Sequence, residues 1–307
     1  MARLPITTIG SLYRFSIDLH DSIDRAIQFQ REHGVDILSD GEQRSDMVTY
    51  FAEAFDGLTV EGGAPIVTGR VNLRNPPEQF SKVKDLEYVL SKHPDLKIKV
   101  ALTGPTTLGM TCGSKKIMSY YRNLLDPRLY EDIAEALAPV AKELVERGAY
   151  VQLDEPFLSQ GYRDLKEKVK LLDEIAADLP RDKMSVHVCG FVGGYGVVDH
   201  LLKLENIGTL SFAFAGRIEL KNIEHVSRKP FEDNDKKLGA GCISVVPTKA
   251  QEVGTSESVT AKLRQIASEV GRDNMAYAHP DCGMRVTPKS LVPIILDNVR
   301  AGVGIFG

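Results

Sequence analysis

His187 and Cys189 stand one residue apart in the run HVCG. On an extended segment residues i and i+2 face the same side, so this imidazole and thiol can meet one ion. Both are preferred zinc ligands, and catalytic zinc sites commonly use three protein ligands with one position open. Cys282, in the turn PDCG, is the candidate for the third ligand. A cysteine taken alone reads as a small buried apolar residue. The metal reading gains from placement, because HVCG and PDCG each follow a β-prone run.

Carboxylates form a second group. Asp154-Glu155 precedes Pro156, which reads either as a paired acid site or as a helix start with Pro in the first turn. Glu42 and Asp46 read either as a solvated first helical turn or as a grip on an ammonium group. Ile9-Gly10-Ser11 offers backbone amides and a hydroxyl suited to a carboxylate. Together they describe an amino acid pocket.

These residues need a scaffold that brings distant segments to one rim. Short apolar runs at Pro5–Ile9, Val35–Leu38, Lys97–Leu102, Tyr150–Leu153, Met184–Val188, Thr209–Phe214, Leu238–Ser244 and Met275–Ala278 read as strands. Helical periodicity separates them, most clearly over Asp18–His33, Tyr130–Gly148, Leu165–Leu179, Ser258–Val270 and Leu291–Ala301. Alternation of this kind implies parallel pairing through crossovers, and eight strands close a (β/α)8 TIM barrel. The fold class is therefore α/β, read as a single catalytic domain over residues 1–307. Leu58–Val71, with Gly62-Gly63 between two β-prone runs, predicts a small β-hairpin insertion after the second strand. An open doubly wound sheet fits the alternation less well, since no GxGxxG turn follows the first strand. In a barrel, catalytic residues collect past the C-terminal strand ends. Ser11, Glu42, Thr103-Gly104-Pro105, Asp154, Cys189 and Cys282 all fall there.

Composition sets outer bounds. Of the 307 residues 43% are hydrophobic and 26% charged, as in an ordinary globular chain. A net charge of -4 gives no electrostatic pull toward nucleic acid or an anionic membrane. No apolar run approaches the roughly 18 residues that span a bilayer. The N-terminal MARLPITTIG lacks a secretory core, so the expected location is cytoplasmic. Four cysteines in a chain this long are no disulfide framework.

The segments TTIGS (7–11), GEQRSDMVTYF (41–51), LTGPTT (102–107), QLDEP (152–156), HVCG (187–190) and HPDCGMR (279–285) run in order across the chain. As a set they resemble the cobalamin-independent methionine synthase family, in particular its catalytic C-terminal half and its short single-domain relatives. The resemblance implies a (β/α)8 barrel that binds homocysteine as a zinc thiolate, whose sulfur takes a methyl group from a donor. Zinc keeps a thiol deprotonated at neutral pH yet nucleophilic. Carried over by position, His187, Cys189 and Cys282 would hold Zn2+. Ile9 and Ser11 would bind the homocysteine carboxylate, and Glu42 and Asp154 would act as the catalytic carboxylates that hold its amino group.

The chain departs from the family pattern in three places. Where the family has a glutamate ligand in a segment like SFEFA, this chain has Ala213, which leaves Cys242 as the candidate replacement and Glu219 as a weaker one. No tryptophan is present to stack a pterin. The family's folate-assisting N-terminal half is not matched. The short relatives then imply a methylcorrinoid, or a corrinoid protein carrying it, as donor. Two other readings remain: zinc-dependent alkyl transfer with another small thiol such as coenzyme M, and a non-catalytic metal- or corrinoid-binding accessory protein.

Overall fold

The computed structural model describes residues 3–118 and 120–307. Six parallel strands make the main sheet in sequential order: β3 (Lys99–Thr103), β4 (Tyr150–Asp154), β5 (Met184–Val188), β6 (Thr209–Ala213), β7 (Lys237–Ile243) and β8 (Met275–Pro280). Two shorter segments close the ring through parallel bridges. Ile6 pairs with Ala278, Thr7 with Ile37 and Leu38 with Ile98. The predicted first and second strands are thus reduced to single bridges within an eight-membered (β/α)8 barrel. Pro5 has no N–H to extend the first ladder, although its carbonyl still accepts from the Ala278 amide at 2.8 Å.

Among the described residues, ten helices surround and connect the strands: α1 (Leu19–Glu32), α2 (Thr49–Ala54), α3 (Ser81–Lys92), α4 (Pro105–Lys115), α5 (Pro127–Glu146), α6 (Leu165–Ile175), α7 (Val197–Leu202), α8 (Arg228–Asp233), α9 (Ser256–Val270) and α10 (Val292–Phe306). Helix α1 starts at Asp18, whose side chain accepts from the Asp21 amide, and Gly34 follows its end at φ +73°. Helix α5 buries Ile133, Leu137, Val140 and Leu144, a stripe at helical spacing. Among the described residues, no helix is long and apolar enough to cross a membrane.

The predicted hairpin is present as β1 (Phe55–Glu61) and β2 (Ala64–Leu73), joined by Gly62 and Gly63. Both glycines have positive φ, as a two-residue turn matched to strand twist requires.

The strand period divides the barrel chemically. Val100 and Leu102, Val151 and Leu153, Val186 and Val188, and Leu210 and Phe212 join the apolar core. The alternate positions carry Lys99, Gln152, Asp154, His187, Ser211 and His279, which are hydrogen-bonded across the strands except for Gln152 to Asp154, which runs along β4. A barrel lumen is ordinarily filled by branched apolar side chains. Here it holds a polar network instead, with its upper end at the C-terminal mouth.

Candidate active site

Ile9, Ser11, Glu42, Asp154, His187, Cys189 and Cys282 line one cavity of about 190 Å³ at that mouth, together with Met47, Pro156, Gly283, Arg285 and Val286. The volume is below the roughly 300–1,000 Å³ of pockets that bury drug-sized ligands, and it suits a small amino acid. A larger opening of about 680 Å³ lies elsewhere, walled by Arg3, Arg31, Asp36 and Arg300 without a thiol or imidazole.

Strand β5 delivers His187, and Cys189 follows immediately after it. Cys282 comes from the turn after β8. The ligand-capable atoms of these three residues all lie within 4.8 Å of one another, and no other residue joins them among those described. The Nε2 atom of His187 is buried with no hydrogen-bond partner, while Nδ1 lies 2.9 Å from the Ser211 hydroxyl. Such an orphaned nitrogen beside two sulfurs is the donor set that zinc prefers, so the residues fit the metal that the sequence implies. Burial, reinforced by His279 and Lys99, pushes the His187 pKa well below its ordinary value and leaves a neutral ring. A hydrogen bond between the two thiols pushes Cys189 up and Cys282 down.

Cys242 is a correction to the sequence expectation. It sits in β7 where the register with β8 slips, is packed in the apolar core, and donates through its thiol to the His279 carbonyl at 3.5 Å. Glu219 also stays outside the three-residue group, and its carboxylate accepts from the Ile218 amide. Ala213 is fully buried at the end of β6. Strand-end position placed Cys242 at the right height, but the bulge decides which way the side chain faces. Cys242→Ser is expected to leave metal content unchanged, as direct metal analysis of the purified variant would show. A loss of metal would return Cys242 to the ligand set.

Glu42 and Asp46 separate into different roles. Asp46 is exposed and accepts from the amides of Val48 and Thr49 at the entry to α2, as the first-turn reading expects. Glu42 is buried, adopts φ +52°, and accepts from Lys82 of α3 at 2.8 Å. A left-handed non-glycine residue costs about 1–3 kcal/mol and persists only where its surroundings fix it. Here the Asp40 carboxylate holds the Glu42 amide at 3.0 Å, and the Arg285 guanidinium grips the carbonyls of Glu42 and Ser45.

Asp154 and Glu155 also part company. Asp154 faces the cavity and accepts from Gln152 at 2.7 Å. Burial, then the neighbouring Glu42 charge, push its pKa well above the ordinary carboxylate range. An ammonium group between Glu42 and Asp154 would reverse that shift. Glu155 instead turns away and accepts from the amides of Thr106 and Thr107 at 2.8 and 2.9 Å. It therefore caps the start of α4 from another strand, so the pair is one site carboxylate and one structural anchor.

The segments before and after the barrel mouth are tied together. The Met284 amide donates to the Ser11 carbonyl at 2.7 Å, and a Cβ on Gly283 would lie 2.2 Å from the Ser11 hydroxyl oxygen. Any larger residue at 283 would have to turn the Ser11 hydroxyl away from its present position. Lys82, Ser211, His279 and Arg285 were not singled out by sequence reasoning. His279 and Arg285 had the signal of lying in the HPDCGMR segment, whereas Lys82 and Ser211 offered only a polar residue among apolar neighbours, which is weak without knowing the partner.

The chain is similar to known proteins. Residues 7–302 match the family described as the cobalamin-independent synthase catalytic domain. A methionine synthase of Methanothermobacter marburgensis is 36% identical over 275 residues, covering 87% of this chain and 83% of that one. Its counterpart in Methanothermobacter thermautotrophicus is 34% identical over 290 residues, covering 92% and 88%. Among solved structures, a B12-independent methionine synthase from Shewanella sp. W3-18-1 in complex with selenomethionine superposes with a TM-score of 0.80 at 23% identity, over 99% of this chain and 98% of that one. A methyltransferase from Methanosarcina mazei superposes at 0.65 with 17% identity, over 99% and 93%. These two structures bear on the fold alone. The family is described as cobalamin-independent, so the expected methylcorrinoid or corrinoid-protein donor gains no support from it.

Proposed function

The chain belongs to the family of cobalamin-independent synthase catalytic domains, and from that premise we propose a methyltransferase that methylates the thiol of homocysteine to give methionine. The observation that carries the reading is the meeting of two different half-sites in one small cavity. One is the thiol–imidazole group of His187, Cys189 and Cys282, and the other is the carboxylate pair of Glu42 and Asp154. An α-amino acid with a thiol side chain is the ligand that uses both. Coenzyme M, which has no α-amino group, would leave the carboxylates idle.

His187, Cys189 and Cys282 would hold Zn2+, which supplies a Lewis acid able to keep a bound thiol deprotonated at neutral pH. The protein's own groups orient the substrate. Glu42, held by Lys82, and Asp154, held by Gln152, receive the ammonium, while Ile9 and Ser11, which line the same cavity, receive the carboxylate. With both ends fixed, the sulfur would be directed toward His187, Cys189 and Cys282, which line the same cavity. Methyl transfer then forms a sulfur–carbon bond as the donor loses its methyl group, and the thiol proton leaves to solvent. Fixing the sulfur in this way supplies the orientation that lowers the barrier.

The test is a direct assay of methionine formation from homocysteine, run in parallel with methyltetrahydrofolate and methylcobalamin as donors and with metal analysis of the same preparation. Zinc-dependent methionine formation is expected. Protein that carries stoichiometric zinc yet methylates homocysteine with neither donor would overturn the reading.

A further inference from the structure

We infer that Ser211 and His279 are positioning residues that fix the tautomer of His187, so that its Nε2 lone pair is presented toward the two cysteine sulfurs before any metal arrives. The inference rests on the metal-site reading above and extends it to groups that touch neither metal nor substrate.

The Pro280 carbonyl can only accept, and it lies 2.8 Å from His279 Nδ1. The proton of His279 is therefore on Nδ1. His279 is fully buried, which disfavours the charged ring, so its Nε2 carries a lone pair. That nitrogen lies 2.9 Å from the Ser211 hydroxyl, which must donate to it. A hydroxyl has one proton, and Ser211 has now used it. Its oxygen, 2.9 Å from His187 Nδ1, can then only accept, which places the His187 proton on Nδ1. What remains is His187 Nε2, unprotonated, buried and without a partner, beside Cys189 and Cys282.

Each link is buried, so water does not scramble the order: Ser211 and His279 have no solvent exposure and His187 has 1%. The two rings stand edge to face at 84°, with centroids 5.7 Å apart. The serine thus bridges them from the side. Partners of this kind on a metal-binding histidine set its orientation and raise its basicity, and losing one typically costs about 10–100-fold in metal affinity.

The decisive measurement uses metal-free protein labelled with 15N-histidine. Long-range proton–nitrogen correlations should report His187 and His279 both protonated at Nδ1 and bare at Nε2. A His187 proton on Nε2 overturns the inference. Ser211→Ala should weaken zinc binding about 10–100-fold in a chelator competition and release the His187 tautomer. Ser211→Thr, which keeps the hydroxyl, should restore both. Unchanged zinc affinity and an unchanged tautomer in Ser211→Ala overturn the relay. Zinc content of the unaltered protein separates this from the underlying reading. Near-zero zinc sinks the metal site whatever the tautomer, whereas stoichiometric zinc with the wrong tautomer sinks only the relay.

Discussion

Cys189→Ala and Cys282→Ala are each expected to abolish zinc retention and, with it, methyl transfer. Apparent zinc binding energies of roughly 10–16 kcal/mol in four-ligand sites put each ligand at about 3–4 kcal/mol. Removing one therefore weakens binding on the order of a hundred- to a thousandfold. Three potential ligands converge here and, among the described residues, no fourth joins them to share the loss. Both cysteines are free and half-buried, which leaves them available to an ion and not committed to a disulfide. The measurement is zinc per chain after dialysis against a weak chelator, paired with the homocysteine assay. Either variant retaining full metal and full activity would remove its cysteine from the site. The contrast with Cys242→Ser matters, because a buried thiol of the same type is predicted to be silent there. A general sensitivity of the fold to losing buried sulfur would make all three variants behave alike.

The different fates of these cysteines show what a sequence can and cannot disclose. His187 and Cys189 were legible because a two-residue spacing has one meaning on a strand, and β5 is a strand as expected. Ile9, Ser11, Glu42, Asp154 and Cys282 were legible because the barrel puts every strand end on one rim, and all five line the same cavity. Cys242 satisfied that positional rule and still fell outside the site, since a slip of register at the β7–β8 pairing is a tertiary event with no local signature. Glu155 was ambiguous beside Asp154 until the structure showed α4 starting beneath it. The Ser211–His279 relay depends on register among β5, β6 and β8, which brings residues 24 and 68 positions apart into hydrogen-bond contact. The fold was easier to read than the network inside it, because apolar periodicity repeats along every element while each polar contact is specified once.

Lys82 is the strongest case of a residue hidden by its surroundings, and its replacement carries the second large expected effect. It lies in α3, which sequence periodicity did not single out, and its ammonium is 1% exposed. It donates to Glu42 and sits 4.2 Å from the centre of the Tyr50 ring. Burial works against its charge, but Glu42, Asp40 and Asp154 outweigh burial and hold its pKa above the ordinary lysine value. Lys82→Met would strip this group of acids of its buried cation while keeping the length of the side chain. Breaking a buried ion pair from one side costs about 3–5 kcal/mol, because the remaining charge is left without compensation. A comparable loss of unfolding free energy in urea is expected. The double replacement Lys82→Met with Glu42→Gln should recover part of that stability, since no uncompensated carboxylate remains at position 42. It should not recover function. A hydrogen bond to a charged group is worth roughly 1.5–3 kcal/mol, so without the Glu42 anion the KM for homocysteine should rise about 10–150-fold. Recovered stability with an unchanged KM would show that Glu42 serves Lys82 and the fold alone. A Lys82→Met variant as stable as the parent would show that the pair contributes nothing to holding Glu42 in place. Stability recovered with a raised KM is the expected pattern, and it would assign Lys82 to the building of the ammonium pocket and Glu42 to its use.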